Sequence, residues 1–107
     1  MTTNGTPTRF CQSALTATAT KLYTAANDGK SIVLDIMCAN TDSNQRTLHL
    51  YIGATNDTKC LIHNAKISAN EYLHLGKVYQ VINSGESIYA NGDNTGLVLT
   101  ISGLERM

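Results

Sequence analysis

Residues 31–39 read SIVLDIMCA, and this stretch indicates the fold more clearly than any other part of the chain. In an extended strand, successive side chains point to opposite faces. One face would carry four apolar side chains: Ile32, Leu34, Ile36 and Cys38. The other face would carry Val33, Asp35 and Met37. Asp35 indicates that this second face is the solvated or subunit-facing one. We therefore predict a β-strand over 31–39.

Short segments of the same kind continue on both sides of this strand. They alternate apolar with polar side chains and lie at 14–20, 47–52, 58–67, 72–75, 77–82, 87–90 and 97–102. Asn, Asp, Gly and Ser separate them at roughly 8–12 residue spacing, a pattern typical of antiparallel β-domains. The sequence predicts an all-β fold: a single antiparallel β-sandwich or jelly-roll-like domain of about eight short strands, with a small closed barrel as the alternative.

The chain also divides into two parts by composition. Residues 1–10, MTTNGTPTRF, hold the only proline and are rich in Thr and Asn, so we expect a flexible N-terminal arm. Residues 11–107 form the predicted β-sandwich domain. An arm of this composition can add to the sheet edge of a neighbour through main-chain hydrogen bonds. The same opening residues lack a basic start and an apolar middle, so we expect synthesis in the cytoplasm.

Charge and polarity narrow the range of partners. The 107 residues include 8 Lys and Arg against 8 Asp and Glu, and charged residues make up 15% of the chain. Zero net charge removes the usual electrostatic reason for binding nucleic acid or an anionic membrane. The polar surface is instead supplied by 14 Thr, 10 Asn and 7 Ser. We expect neither nucleic acid nor a membrane as a partner.

No catalytic, cofactor-binding or metal-binding residue is predicted. The three histidines, His49, His63 and His74, form no HxH or HxxxH pair, and we interpret them as ordinary surface or half-buried residues rather than metal ligands. The three cysteines, Cys11, Cys38 and Cys60, are odd in number and form no CxxC pair. Because free cysteines are usually buried, we expect three reduced thiols in or near the core.

The remaining polar and aromatic groups also favour a structural interpretation. Most acidic residues stand in turns, and Asp35 is the exception, with a functional carboxylate as its alternative role. Glycines 85, 92 and 96 form no phosphate-binding loop, and there is no GxSxG motif. Four tyrosines offer a possible platform for a sugar: Tyr51, Tyr72, Tyr79 and Tyr89. Ordinary packing of these rings across strands is the favoured interpretation. The sequence therefore predicts that the protein is not an enzyme.

The pattern resembles small phage and prophage virion proteins that have a β-sandwich domain. The resemblance covers roughly residues 21–103 and lies in these segments: KLYT at 21–24, GKSIVLDI at 29–36, CANT at 38–41, ISANE at 67–71, VINSGESIYA at 81–90 and LVLTISG at 97–103. Such proteins recur in capsid-decoration, neck and tail-associated roles. The resemblance implies a non-enzymatic virion component that acts as a homo-oligomer or in many symmetric copies, and it assigns no site residue or cofactor.

The leading hypothesis is therefore a capsid decoration or cement protein that binds neighbouring shell subunits in the virion. Two alternatives stay open. One is a neck or tail accessory protein, which would bind other virion proteins. The other is a carbohydrate-binding module for receptor recognition, which would need exposed tyrosines and a specific glycan.

Overall fold

Nine β-strands form the structure, a computed structural model that describes residues 5–93 and 95–105. The strands are β1 (Thr6–Ala14), β2 (Thr20–Thr24), β3 (Ser31–Asn40), β4 (Arg46–Ile52), β5 (Cys60–Ile67), β6 (Tyr72–Leu75), β7 (Gln80–Ile82), β8 (Ser87–Asn91) and β9 (Leu97–Glu105). A short 3-10 helix spans Asp57–Lys59. The predicted all-β class is confirmed.

The strands form two antiparallel sheets that pack on one another. The five-stranded sheet has the order β1-β9-β3-β6, and β7 also pairs with β3 beyond the end of β6. The four-stranded sheet has the order β2-β8-β4-β5. If β6 and β7 are counted as two halves of one broken strand, these are the strand orders of a jelly roll. The predicted antiparallel β-sandwich is therefore confirmed.

The core lies between the two sheets and is built from alternate residues of the longer strands. In β9, Leu97, Leu99 and Ile101 are fully buried, as their alternation predicts. Leu48 and Leu50 of β4 face them from the four-stranded sheet. The alternation of apolar residues thus directs one face of each sheet inward, because that burial removes apolar surface from water.

The buried face of β3 changes partway along the strand. Ile36 and Cys38 are buried, as predicted. Val33 is buried as well, whereas Ile32 and Leu34 are only half-buried. The pairing of β3 with β9 shifts register directly after Val33. A β-bulge of this kind adds one residue to a strand and reverses the alternation beyond it. The prediction that Ile32 and Leu34 share the face of Ile36 is therefore wrong.

The bulge requires a glycine on the neighbouring strand. Gly103 of β9 pairs with Val33. A Cβ atom added to Gly103 would lie 1.9 Å from the carbonyl oxygen of Ile32. No side chain fits at that distance, so the two backbones approach this closely only because residue 103 is glycine.

The predicted strand at 14–20 is wrong, because most of these residues connect two strands. Residues 15–19 pass from β1 in one sheet to β2 in the other. The Thr16 hydroxyl donates to the carbonyl of Thr18 and accepts from its N–H, at 3.2 and 3.3 Å. Such local bonds compete with strand pairing. The Leu15 side chain is buried, which explains its apolar character.

The region predicted as an arm contributes to the five-stranded sheet. Residues 6–10 lie in β1, where they pair with β9 of the same chain. Phe10 is buried and its ring stacks on Tyr23 with centroids 4.3 Å apart. The predicted boundary at residue 10 therefore differs from the start of β1 at Thr6. Residues 1–4 of the predicted arm lie outside the described residues.

Candidate functional site

The outer face of the five-stranded sheet is the candidate functional site, and its cross-strand pairs define it. Residues paired directly across antiparallel strands point to the same side of a sheet. Four rows of side chains cross this face: Pro7, Leu104, Ile32 and Val81; Arg9, Ser102 and Asp35; Gln12, Thr100, Met37 and His74; and Ala14, Val98, Ala39 and Tyr72. None of these side chains is buried. We call this set the outer face.

Large apolar side chains stand exposed on the outer face and along its edge. Met37 is 41% exposed and Val81 is 40% exposed. Tyr72 on the outer face and Tyr79 at its edge are each 66% exposed. Single exposed apolar residues are common, but a group of them on one sheet face is a feature of interaction surfaces. Tyr and Met are also enriched in the centres of protein–protein interfaces.

A groove of about 750 Å³ lies at one end of the outer face. Its floor is the bulge region of β3 and the neighbouring ends of β1 and β9. The lining residues are Pro7, Thr8, Arg9, Leu34, Asp35, Lys77, Tyr79, Ser102, Gly103 and Leu104. The groove is open to solvent, and its lining combines apolar with charged side chains.

Residues 77–79, between β6 and β7, form one wall of the groove. The backbone of Val78 donates to the carbonyl of Leu34 at 3.0 Å, and the Val78 side chain packs against the core. On either side of it, Lys77 and Tyr79 adopt left-handed backbone conformations, with φ of 56° and 53°. This conformation costs about 1–2 kcal/mol for a non-glycine residue. The fold holds both side chains beside the groove in spite of that cost.

A histidine and a carboxylate lie close together on the outer face. His74 Nε2 lies 3.3 Å from Asp35 Oδ2. The Asp35 side chain is 55% exposed on the outer face, in agreement with the predicted solvated or subunit-facing side. Arg9 and Lys77 form no ion pair with any residue in the parts of the chain that the structure describes.

The histidines do not meet at one place. His49 and His63 lie together on the four-stranded sheet, with ring centroids 5.3 Å apart, whereas His74 belongs to the other sheet. Cys60 Sγ is 3.9 Å from His63 Nδ1. Over residues 5–93 and 95–105, no group of three or more His, Cys, Asp or Glu side chains is placed to hold a metal ion.

The cysteines lie in or near the core. Cys38 is buried, and Cys11 and Cys60 are half-buried. Burial raises the pKa of the Cys38 thiol from 9.0 to about 12. Burial also raises the pKa of Cys11, although its backbone hydrogen bond with Ile101 opposes that shift. Raised pKa values disfavour the thiolate, so neither Cys38 nor Cys11 has the character of a reactive nucleophile.

The four candidate tyrosines have different environments. Tyr51 is only 9% exposed, so its inclusion as a sugar platform is wrong: it pairs with Tyr89 on the face of β4 opposite the core, and its ring stacks near His49. Tyr89 is half-buried in β8. Only Tyr72 and Tyr79 are strongly exposed, and both lie at the outer face or its edge.

The sequence patterns did not identify several residues that line the groove. Arg9 and Pro7 stand in the segment predicted as an arm, and Leu34 was assigned to the buried face. The signals that could have identified the groove are weak. Gly76 breaks the strand pattern directly before Lys77, but nothing in the sequence indicates that Lys77 and Tyr79 adopt left-handed conformations.

Comparisons with protein-family models, with curated proteins and with solved structures found no match. No helix in the described ranges has the length and apolar character needed to cross a membrane.

Proposed function

We propose that this chain is a structural subunit of a phage particle, a capsid decoration or cement protein that attaches to neighbouring shell subunits through the outer face. The observation that carries the proposal is the group of exposed apolar side chains on this face, with Met37, Val81 and Tyr72 as its largest members. The resemblance to phage virion proteins supplies the biological setting.

The geometry suits docking because the face is preformed. Its side chains stand on paired strands of one sheet, so little conformational entropy is lost when a partner binds. A specific interface needs roughly 1,000 Å² or more of buried surface. In a symmetric shell, many repeated contacts would make a modest affinity at each site sufficient.

The test is the number of copies in purified particles of the phage that encodes the chain. Quantitative mass spectrometry would compare it with the major capsid protein. A decoration role predicts roughly one copy for each one or few capsid subunits, because symmetry ties the copies to the lattice. About six to twelve copies would instead favour a neck or tail position. Absence from the particle would contradict the structural role.

A carbohydrate-binding role is the second candidate, and the two exposed tyrosines favour it. Tyr72 and Tyr79 are each 66% exposed. Exposed aromatic rings can stack on sugar rings. A glycan-array screen tests this role, with replacement of both tyrosines by alanine as the follow-up. A carbohydrate-binding role predicts binding to a specific glycan, and the alanine replacements should abolish that binding. If the protein binds no glycan on the array, this role is contradicted.

A further inference from the structure

The groove brings two kinds of contact together. Pro7, Leu34 and Leu104 supply an apolar floor. Arg9 and Lys77 supply two positive charges without an ion-pair partner among the described residues. The groove is also lined by one carboxylate, that of Asp35, so its charged side chains are two cations and one anion. The groove therefore complements a ligand with one bulky apolar group and one negative charge.

The backbone conformation of one wall of the groove also supports a binding role. Lys77 and Tyr79 both stand in strained conformations on either side of the anchored Val78. Strained backbone of this kind persists only where the surrounding structure enforces it, and it is concentrated at binding sites. Here the strain places a cation and an exposed aromatic ring at the same groove.

We propose that the groove binds a segment of a partner protein in which a bulky apolar residue stands next to Glu or Asp. The apolar side chain would lie on Pro7, Leu34 and Leu104, and the carboxylate would contact Arg9 and Lys77. This inference rests on the docking role proposed above and names the chemistry of the docked segment.

A protein segment fits the surroundings better than an acidic sugar. The groove continues into the rest of the outer face, where Val81 and Met37 are exposed apolar side chains. A protein partner can cover the groove and that face together, whereas a monosaccharide would leave Val81 and Met37 uncovered. Arg and Tyr are also among the residues enriched at binding hot spots in protein–protein interfaces.

The test uses nitrogen-15-labelled protein and NMR titration with blocked peptides in which Leu, Ile, Phe or Met precedes Glu. Matched peptides carry Gln in place of Glu, and N-acetylneuraminic acid serves as the acidic sugar. We expect amide shifts at Leu34, Lys77, Tyr79 and Leu104 with a Glu peptide, and about tenfold weaker binding with the matched Gln peptide. The proposal is overturned by absence of shifts with all Glu peptides, by equal binding of the Gln peptides, or by a response to the sugar alone.

Charge variants provide the matched control. The double variant Arg9→Gln, Lys77→Gln should bind the best Glu peptide about tenfold more weakly than the wild type. The double variant Lys59→Gln, Lys66→Gln removes two exposed cations elsewhere, and its binding should be unchanged. Equal loss in both variants would show only a general charge effect and would overturn the proposal. Unchanged amide shifts outside the groove would show that each variant is folded.

Attachment to particles separates this inference from the proposed function. If the wild type co-sediments with particles and the Arg9→Gln, Lys77→Gln variant does so equally well, the groove inference fails and the docking role stands. If the wild type itself does not co-sediment, the docking role fails, whatever the groove binds. Reduced attachment of the groove variant, with normal attachment of the control variant, supports both.

Discussion

Gly103 allows two backbones to approach each other at the β3 bulge. We predict that Gly103→Ala destabilises the fold by about 3 kcal/mol, because its Cβ atom would collide with the carbonyl oxygen of Ile32. Gly76→Ala is the control. A Cβ atom there meets nothing nearer than Asp35 Oδ1 at 3.4 Å, so the change should stay within about 0.5 kcal/mol. Urea denaturation measures both, and equal stability of the two variants would argue against the close approach.

Tyr23 joins three strands through its hydroxyl group. The hydroxyl donates to Glu105 Oε2 at 2.6 Å and lies 2.7 Å from Ser31 Oγ. Ser31 is buried. We predict that Tyr23→Phe lowers the free energy of unfolding by about 2 kcal/mol, because it removes hydrogen bonds from a carboxylate and from a buried hydroxyl.

The control for Tyr23 is Tyr72→Phe. The Tyr72 ring is strongly exposed, so removal of its hydroxyl should leave the unfolding transition where it is in the wild type. Thermal unfolding followed by circular dichroism compares the two variants. If the Tyr23→Phe variant unfolds at the same temperature as the wild type, the Tyr23 hydroxyl group does not stabilise the fold.

At the scale of the elements, a side-chain hydrogen bond stabilises the connection from β3 to β4. Arg46 Nε donates to Asp42 Oδ2 at 2.8 Å, and the backbone N–H of Ser43 donates to Asp42 Oδ1. The hydrogen bond from Arg46 is the main cause that lowers the pKa of Asp42 below its ordinary value of 3.8. A carboxyl group whose pKa is lowered by folding stabilises the native state above its unfolded pKa, and this stabilisation is lost as the pH falls.

We therefore predict that Asp42→Asn destabilises the protein at pH 7 and that its deficit shrinks as the pH falls below about 4. Arg46→Gln should show the same pH dependence, because it removes the other partner of the same contact. Urea unfolding at neutral and acidic pH measures both. A deficit in Asp42→Asn that is equally large at both pH values would contradict the assignment.

The strands differ in how far the sequence could predict them. β6 was predicted with its observed bounds, and β9 with its buried face, because each follows clear turn residues and keeps a simple alternation. The segment 14–20 also alternates, yet it is mainly a connection between the sheets. Its threonine side chains form hydrogen bonds with nearby backbone groups. Alternation alone does not distinguish such a connection from a strand. The bulge in β3 was missed because it depends on Gly103, seventy residues further along the chain.

At the scale of the whole molecule, the candidate site was predicted less well than the fold. Asp35 was expected on a solvated or subunit-facing side and is exposed on the outer face, and Tyr72 and Tyr79 were among the candidate tyrosines. The groove itself joins residues from both ends of the chain and from the segment after β6. The order of the strands in the sheet brings these residues together. The pattern of apolar and polar residues within any one strand does not indicate that order.

We have proposed that the outer face attaches the protein to its particle. Met37→Glu tests it by placing a negative charge on that face, and Thr55→Glu is the matched control in the exposed turn after β4. Both changes lie at exposed positions, so both variants should fold like the wild type.

The decisive measurement is co-sedimentation of the wild type and these two variants with purified particles that lack the protein. We expect the wild type and Thr55→Glu to attach equally and Met37→Glu to attach at least about tenfold more weakly, since burial of an unpaired charge opposes binding. Equal attachment of Met37→Glu and Thr55→Glu would contradict a docking role for the outer face.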